Sequence, residues 1–365
     1  MAMASPAAIA FTRGAPSLDI IDTEGLVEAT QQAFANDPAG TSGYGTAVGY
    51  GPLRAWIAEQ HGVPVEQVLV TNGSMQADAF LFEQLVSPGD AVVVEAPTYD
   101  RTLLNLRGRG AEVYPIALHE DGIDVDALQA LLESGVRPKL AHIIPNFQNP
   151  AGYTLSAEKR TRLLALAAQY DFTLFEDDPY YSIRFEGEAL PTMLSQDTSD
   201  HVVYASSFSK TVCPGIRVGY LVGPRAVIAD IVKLATTTYI SPNMVAQSIV
   251  NQFCRSGRLD KSIDTVRAAL RQRKDALVNA LKRELPTAEF TAPQGGYFMW
   301  VRLPGVSIDD LAVAGTEHGV AFVKGADFLL EGGEDSVRLA YSGLSVEQIE
   351  EGVTRLAAAV RSLQK

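Results

Sequence analysis

Seven short apolar runs recur between residues 68 and 222, and their spacing constrains the fold more than any other feature of this sequence. The runs occupy residues 68–70, 91–94, 113–116, 140–144, 172–175, 202–205 and 218–222. Segments with helical periodicity, such as Ala157–Tyr170, separate most of them. Strands that are apolar throughout and alternate with amphipathic helices are typical of a sheet covered on both faces. We therefore expect an α/β fold with a mostly parallel seven-stranded sheet sandwiched by helices.

The C-terminal third follows a different pattern. Two helical stretches, 241–255 and 260–285, precede an alternating strand at 295–302, and shorter helices and strands follow. This order is typical of a smaller α+β domain, with the second stretch as its connection to the rest. The predicted division is an N-terminal segment (1–45) that contributes to the small domain, a large domain (46–260) and a small C-terminal domain (261–365).

Charge and cysteine content argue against several classes of protein. The 365 residues carry a formal net charge of −13, which argues against non-specific binding to nucleic acid. The two cysteines, Cys213 and Cys254, cannot form a disulfide framework, and the five histidines are scattered singly rather than spaced as metal ligands. The N-terminus lacks a basic signal-peptide region, and no uncharged run reaches membrane-spanning length. We expect a cytoplasmic protein without a metal site and without nucleic-acid or membrane partners.

The glycine-rich segment 40–52 resembles a dinucleotide-binding loop at first sight. Its glycines at positions 43, 45 and 49 do not give the GxGxxG spacing, and no apolar strand precedes them. We therefore reject a Rossmann-type nucleotide site.

Residues that directly follow the apolar runs are the candidates for a binding site, because ligands of such sheets bind at the carboxyl ends of the strands. Gly73 and Ser74 follow the first run at the start of a helix, where backbone N–H groups bind anions. Taken alone, Ser74 is equally an ordinary helix cap. Tyr99 follows the second run and can stack on a flat ligand or pack in the core. Asn149 follows the fourth run, where an amide beside a proline is usually a turn former.

Charged residues follow the fifth and sixth runs. Asp177 and Asp178 come after the fifth run, where adjacent acids face solvent more often than a ligand, and Tyr180 follows them. After the sixth run a serine-rich turn ends on Lys210, and Arg217 comes shortly afterwards. Serine hydroxyls, a lysine and an arginine can hold a phosphate while the lysine does chemistry beside it, although charges on a surface loop give the same pattern.

Together these side chains form the set that one ligand requires. Pyridoxal 5'-phosphate (PLP) combines a flat ring, a phenolic oxygen, a pyridine nitrogen, a phosphate and an aldehyde that condenses with a lysine. A carboxylate at the pyridine nitrogen keeps the ring protonated, so that the ring can absorb the electron pair left on a substrate carbon. Asp177 fits that position in the sequence.

The same residues carry a resemblance to a known family. From residues 11–17 to residues 336–342, the sequence resembles the fold-type I PLP enzymes, and among them the class I/II aminotransferases. The likeness is greatest to the 2-aminoadipate aminotransferase branch, which includes kynurenine, aromatic and branched-chain enzymes. The resemblance implies an enzyme that moves the amino group of an L-amino acid to a 2-oxo acid such as 2-oxoglutarate. A β-lyase, decarboxylase or oxidase on the same scaffold is the alternative, and a DNA-binding regulator with this fold is disfavoured by the charge.

The resemblance also implies a role for each site residue. Lys210 would bind the cofactor covalently and then act as the base for the proton shift, and Asp177 would pair with the pyridine nitrogen. Asn149 and Tyr180 would hydrogen-bond the phenolic oxygen, and Tyr99 would stack on the ring. The phosphate would be held by Gly73, Ser74, Met75, Ser207, Ser209 and Arg217.

Substrate and subunit contacts follow from the same resemblance. Arg338, with Asn149 and the backbone of Gly14, would bind the substrate α-carboxylate, a bidentate task that arginine performs better than lysine. Tyr44 would reach the phosphate of the neighbouring subunit, which implies a homodimer with shared active sites.

Two positions depart from the pattern of the family. Met75 stands where relatives often carry a polar side chain, which predicts the loss of one phosphate contact. Arg13 stands where several relatives have glycine. We hypothesise that Arg13 lies at the mouth of the pocket and binds a substrate side-chain carboxylate; a surface arginine is the alternative.

Overall fold

The structure is a computed structural model, and it describes residues 8–364. Within that range the chain forms thirteen strands and thirteen α-helices. The strands are β1 (Ile9–Ala10), β2 (Val68–Thr71), β3 (Ala91–Ala96), β4 (Glu112–His119), β5 (Gly122–Ile123), β6 (Leu140–Ile143), β7 (Thr173–Asp177), β8 (Val202–Ser207), β9 (Gly219–Val222), β10 (Phe298–Arg302), β11 (Val320–Ala321), β12 (Val323–Lys324) and β13 (Ser336–Ala340). The helices are α1 (Thr23–Asn36), α2 (Pro38–Ser42), α3 (Gly51–His61), α4 (Ser74–Leu85), α5 (Asp100–Gly108), α6 (Val125–Glu133), α7 (Ala157–Tyr170), α8 (Met193–Gln196), α9 (Arg225–Tyr239), α10 (Met244–Arg255), α11 (Arg258–Glu284), α12 (Ile308–His318) and α13 (Val346–Leu363).

Eight strands form the central sheet, in the order β2-β9-β8-β7-β6-β3-β4-β5. Strands β8, β7, β6, β3 and β4 run parallel to one another, whereas β9 is antiparallel to both of its neighbours and β5 is antiparallel to β4. Each of the seven apolar runs overlaps one strand of this sheet, so the predicted fold class is confirmed. The eighth strand, β5, has only two residues, too few to give a periodic pattern in the sequence.

The strands are apolar throughout because helices cover both faces of the sheet. In β3, Val92 and Val94 pack in a cluster with side chains of α4 and α9, while Val93 packs with side chains of α6 and α7. Neighbouring side chains of a strand point to opposite faces, so each face of β3 meets a different helical layer. This arrangement leaves the carboxyl ends of the parallel strands at one edge of the sheet.

Helix α9 is absent from the sequence-based prediction. Its last turns contain three consecutive threonines, 236–238, which favour a helix only weakly. The helix forms because Ile228, Ile231 and Ala235 are buried in the same cluster as the central strands. Tertiary packing therefore outweighs the local preference of this segment.

The C-terminal elements form a second layer beside the central sheet. Strands β10, β13 and β12 make an antiparallel sheet, against which α11, α12 and α13 lie. Strand β1 pairs in parallel with β11, so the start of the described chain lies among the C-terminal elements, whereas α1 packs on α10. The predicted division into domains stays a prediction.

Two negative findings hold for residues 8–364. None of their helices combines the length and the apolarity that crossing a membrane requires. No three of their histidine, cysteine, aspartate or glutamate side chains converge as a group that could hold a metal ion.

Candidate active site

A cavity of about 440 Å³ lies where β3, β6, β7 and β8 end and α4 begins. The predicted site residues that line it are Arg13, Gly14, Ser74, Met75, Tyr99, Asn149, Asp177, Tyr180, Ser207, Ser209, Lys210, Arg217 and Arg338. The residues that follow the strands of the central sheet meet at one place, as expected for strand ends, and Arg13, Gly14 and Arg338, which the family resemblance implied, line the same cavity. Asp78, Asp100 and Arg101 also line the cavity and were not among the predicted residues.

One end of the cavity is built to hold an anion. Gly73 precedes the first turn of α4 with a φ of +87°, a conformation that side chains rarely adopt, and a methyl group there would collide with the guanidinium of Arg217. Arg217 donates from Nη1 to Ser209 Oγ at 2.9 Å, and Ser207 Oγ accepts from the backbone N–H of Ser209 at 3.1 Å. A helix N-terminus, an arginine and serine hydroxyls at one point are suited to a phosphate group.

Lys210 also lines the cavity, in the short turn after β8. Its Nζ donates to the carbonyl oxygen of Gly14 at 2.7 Å and lies 5.7 Å and 5.3 Å from the ring centroids of Tyr180 and Tyr297. Burial, together with Arg217 and Arg338, lowers the pKa of Lys210 from 10.5 to about 8. At pH 7 roughly a tenth of such a lysine is the neutral amine, which is the nucleophilic form.

Asp177 ends β7 and presents an unpaired oxygen. Its side chain is buried, Oδ2 lies 3.4 Å from Nε2 of His142, and within the described part of the chain Oδ1 has no hydrogen-bond partner. A buried carboxylate oxygen without a donor is costly, so this atom is suited to a ligand that brings an N–H group. Its neighbour Asp178 turns away from the cavity and accepts from Asn146 Nδ2 at 2.7 Å instead of facing solvent. Burial and Glu176 raise the pKa of Asp178 to about 8.

His142 was not among the site residues predicted from the sequence. This residue lies in the middle of β6, fully buried, with the rings of Phe82 and Phe175 at centroid distances of 6.1 Å and 5.2 Å. The signal that could have identified it is a single histidine inside an apolar run, on the strand that neighbours the one ending in Asp177. Its position beside Oδ2 restricts the orientation of the Asp177 carboxylate.

Arg338 crosses the cavity from β13. Nη1 donates to Asn149 Oδ1 at 3.0 Å, and Nη2 donates to the carbonyl oxygen of Thr12 at 2.6 Å. The guanidinium lies 4.5 Å from the ring centroid of Phe298 and 4.7 Å from that of Phe328, which fixes its plane. A cation held in this way is suited to bidentate binding of a carboxylate.

Two predicted tyrosines and Met75 complete the wall. Tyr99 precedes α5, and its hydroxyl lies 3.8 Å from the sulfur of Met75. Burial raises the pKa of Tyr99 to about 12. Tyr180 is buried, and its ring meets that of Phe298 edge to face. Flat aromatic side chains in the wall of the cavity are suited to stacking on a planar ligand.

Tyr44 is a predicted site residue that does not line the cavity. Its side chain is 92% exposed, and it lines a shallow surface depression with Ser241, Pro242 and Val245. Gly73 also does not line the cavity, but it touches Arg217, which does.

The residues present fit PLP on three independent observations. The anion-binding end matches a phosphate, the unpaired Oδ1 of Asp177 matches a protonated pyridine nitrogen, and the partly neutral Lys210 matches an aldehyde. Residues of this one chain form all three features.

Comparisons with known proteins agree with this assignment. The family model for aminotransferase class I and II matches residues 8–356. Aromatic-amino-acid aminotransferase 1 of Thermococcus litoralis is 33% identical over 98% of this chain and 89% of its own length. The kynurenine aminotransferase of Pyrococcus horikoshii superposes with a TM-score of 0.94 at 30% identity, covering 99% of this chain and 92% of that one. The alpha-aminoadipate aminotransferase of Thermus thermophilus, solved with N-(5'-phosphopyridoxyl)-L-leucine, gives 0.93 at 33% identity, covering 98% and 93%.

The family match, the relatives and the cavity lead to one conclusion. They do not favour a β-lyase, decarboxylase or oxidase over amino-group transfer. The chain belongs to the class I and II aminotransferases, and it is a PLP-dependent transaminase that moves the amino group of an amino acid to a 2-oxo acid.

Proposed function

We propose that the cavity performs transamination through Lys210 and Asp177, which both line it. When bound, PLP supplies an aldehyde that condenses with amines and a protonated ring that accepts the negative charge left on the substrate carbon. Lys210 would hold the cofactor covalently and, once freed by the substrate amine, would move the proton of the substrate α-carbon. The observation that carries this proposal is the placement of a partly neutral lysine and an unpaired aspartate oxygen in the same cavity.

The remaining walls of the cavity orient the ring and the phosphate. Asp177 would accept a hydrogen bond from the pyridine nitrogen through its unpaired Oδ1, Tyr99 would stack on the ring, and Asn149 and Tyr180 would donate to the phenolic oxygen. The proposed phosphate ligands are Gly73, Ser74, Met75, Ser207, Ser209 and Arg217. Met75 contributes its backbone N–H group only, since its thioether points toward the hydroxyl of Tyr99.

Arg338 binds the substrate α-carboxylate in this proposal, with Asn149 and the backbone of Gly14 beside it. Its two present partners, Asn149 Oδ1 and the carbonyl oxygen of Thr12, hold the guanidinium in place. The Nε atom has no partner among the described residues, so the group retains donor capacity for a carboxylate. Lys210 and Arg338 then act on the same substrate carbon, one on its proton and the other on its carboxylate.

Covalent capture of PLP is expected to depend on pH in a specific way. Because the pKa of Lys210 is lowered to about 8, the capture rate of the cofactor-free chain should rise about tenfold per pH unit below pH 8 and level off above it. The measurement is stopped-flow absorbance against pH, with N-acetyl-lysine as the reference that reports the titration of the cofactor itself. A plateau reached only near the ordinary lysine pKa would contradict the proposal.

Arg13 is proposed to recognise an acidic substrate side chain. It lines the cavity and is exposed, as Arg101 is. Replacing Arg13 with alanine should lower kcat/KM for acidic amino acids by about tenfold or more, because a charged hydrogen bond is lost, and leave apolar amino acids unaffected. The control is Arg107→Ala, which removes an exposed arginine outside the cavity. An unchanged preference in Arg13→Ala would refute this role.

A homodimer with shared active sites is proposed because Tyr44 is fully presented to the outside of its own chain. In the dimer its hydroxyl would bind the phosphate of the partner subunit's cofactor. Tyr44→Phe should then weaken PLP binding by about tenfold, the effect of one hydrogen bond to a charged group. Tyr114→Phe, which removes another hydroxyl at the surface, is the control. Sedimentation equilibrium at the mass of one chain would refute the dimer.

The cellular location and the division into domains also stay proposals. The cytoplasm is proposed as the location, and Cys213 and Cys254, which are free thiols, agree with a reducing compartment. The proposed domains remain the N-terminal segment 1–45, the large domain 46–260 and the small domain 261–365. The β1–β11 pairing supports the assignment of the N-terminal strand to the small domain.

The test of the proposed function is the visible absorption spectrum of the holoenzyme during addition of a panel of L-amino acids. Transamination predicts that the band of the lysine-bound cofactor disappears with one class of donor and returns when 2-oxoglutarate is added. A band that none of the L-amino acids changes would contradict the proposal that this cavity transaminates them.

A further inference from the structure

Glu95 is a buried carboxyl group near the active site for which the transamination proposal has no role. It is the second-last residue of β3, and it does not line the cavity itself. Its Oε2 accepts from the backbone N–H of Ile144 at 3.1 Å and from Nε2 of Gln148 at 3.1 Å. Ile144 directly follows β6, the parallel neighbour of β3, so one carboxyl oxygen joins the ends of two strands that lead into the cavity.

Gln148 has both polar groups of its side chain paired. Besides its bond to Glu95, Nε2 donates to the carbonyl oxygen of Pro97 at 2.8 Å, and Oε1 accepts from the backbone N–H of Ala151 at 2.9 Å. The reversed amide would place its NH₂ group against an N–H group and its oxygen against two acceptors, so these contacts fix one orientation. Because Gln148 is buried, an unpaired amide group would be costly here.

The amide of Gln148 connects two parts of the cavity wall. Tyr99 comes two residues after Pro97, and Asn149 comes directly after Gln148. Both Tyr99 and Asn149 line the cavity, and Oδ1 of Asn149 accepts from Nη1 of Arg338 at 3.0 Å. The hydrogen bonds of the amide therefore hold the turn that carries Asn149 against the segment that carries Tyr99.

We propose that Glu95 and Gln148 are positioning residues that hold Asn149 in place for the phenolic oxygen of PLP. Glu95 orients the amide of Gln148, and Gln148 fixes the turn that carries Asn149. This role rests on the proposed contact between Asn149 and the phenolic oxygen. Since Oδ1 of Asn149 already accepts from Arg338, its Nδ2 group is the part that donates to the ring.

The absorption spectrum of the holoenzyme against pH reports on this contact without turnover. The nitrogen that joins Lys210 to the cofactor would share its proton with the phenolic oxygen, and loss of that proton leaves the full negative charge on the oxygen. A hydrogen bond from Asn149 stabilises the charged oxygen, so its loss should raise the pH midpoint of the absorption change. Asn149→Ala should raise the midpoint by roughly one to two pH units, the effect of one hydrogen bond to a charged group. The charged and titratable groups around Lys210 are the same in all variants used here; they are Asp177, Tyr180, Arg217, Tyr297 and Arg338.

Changes at Glu95 and Gln148 should each reproduce part of that shift. Gln148→Ala removes the three hydrogen bonds of the amide, Glu95→Ala removes the two of the carboxyl oxygen, and each should raise the midpoint by about one pH unit. Glu95→Gln is the conservative variant, because an amide oxygen accepts two hydrogen bonds, and its midpoint should stay at the unsubstituted value. Both Glu95 variants lack the carboxyl charge, so equal shifts in the two would overturn positioning through hydrogen bonds.

Coupling to Asn149 distinguishes positioning from a general loss of structure. Because Gln148 acts through Asn149, Gln148→Ala combined with Asn149→Ala should shift the midpoint no further than Asn149→Ala alone. A sum of the two separate shifts would overturn the positioning role. The control is Asp197→Ala, since Asp197 accepts from three backbone N–H groups between residues 199 and 202, before and at the amino end of β8. Its removal should leave the midpoint unchanged, and a shift as large as that of Gln148→Ala would contradict a specific role.

The outcomes separate this role from the contact on which it rests. An unchanged midpoint in Asn149→Ala would overturn the contact with the phenolic oxygen, and the role of Glu95 and Gln148 with it. A raised midpoint in Asn149→Ala, with unchanged midpoints in Gln148→Ala and Glu95→Ala, would overturn the positioning role alone.

Discussion

Replacing Lys210 with alanine is expected to lower kcat by up to about 10⁴-fold, the full contribution of a positioned acid–base group. Lys210 Nζ is the amine that lies inside the cavity between the carbonyl oxygen of Gly14 and the rings of Tyr180 and Tyr297. A base tethered at the reacting carbon replaces a bimolecular proton transfer, which solvent cannot match. The phosphate site does not involve this side chain, so PLP should still bind non-covalently.

Two readouts separate this loss from a folding defect. Borohydride reduction should attach the cofactor permanently to the unsubstituted chain and leave the Lys210→Ala chain unlabelled. Lys324→Ala, at an exposed lysine that pairs with Asp309, should retain both activity and labelling. Covalent labelling of the Lys210→Ala chain at another residue would contradict the assignment of Lys210.

Replacing Asp177 with asparagine is expected to lower kcat by about 10²–10³-fold, as the loss of one preorganised charge at a reacting group does. The amide keeps the shape of the side chain but cannot hold a proton on the pyridine nitrogen, so the ring accepts the developing negative charge poorly. His142 would still contact the side chain, so the fold around β7 should persist.

Asp178→Asn is the natural control for this experiment. Asp178 is the next residue in the chain and equally buried, but it binds Asn146 on the side away from the cavity. Its substitution should change thermal stability and leave kcat close to that of the unsubstituted enzyme. Kinetics of both variants with one amino-acid donor make the comparison. Equal losses in the two variants would show that any buried carboxyl group near β7, rather than the contact of Asp177 with the ring, determines the rate.

The sequence predicts the sheet well because its strands are buried on both faces. Apolar runs such as 140–144 and 202–205 can only be accommodated inside, so strand positions follow from local composition. Helix α9 escaped prediction because its threonine-rich end is helical through packing of Ile231 and Ala235, which only the folded chain provides. The two-residue strand β5 exists because it pairs with β4. That pairing leaves no local pattern in the sequence of β5.

The same distinction applies to the site. Lys210, Asp177 and Arg338 could be predicted because they lie within motifs whose order along the chain is recognisable. His142 and Asp78 could not, because their places depend on other elements: His142 lies 3.4 Å from Asp177 of the neighbouring strand, and Asp78 lines the cavity from α4. Nothing in the local sequence distinguishes a buried aspartate on a helix from one that faces solvent.

The strand and turn at residues 9–14 carry a consequence for protein engineering. The backbone carbonyl groups of Thr12 and Gly14 bind Arg338 and Lys210, and β1 fixes this segment beside β11. An expression variant that starts after residue 14 would thus remove the hydrogen-bond acceptors of both Lys210 and Arg338. Arg13 is the one charged side chain that the described part of the chain would lose with them. Affinity tags and fusion partners are therefore better placed at the other terminus, where the exposed end of α13 follows the last buried turn.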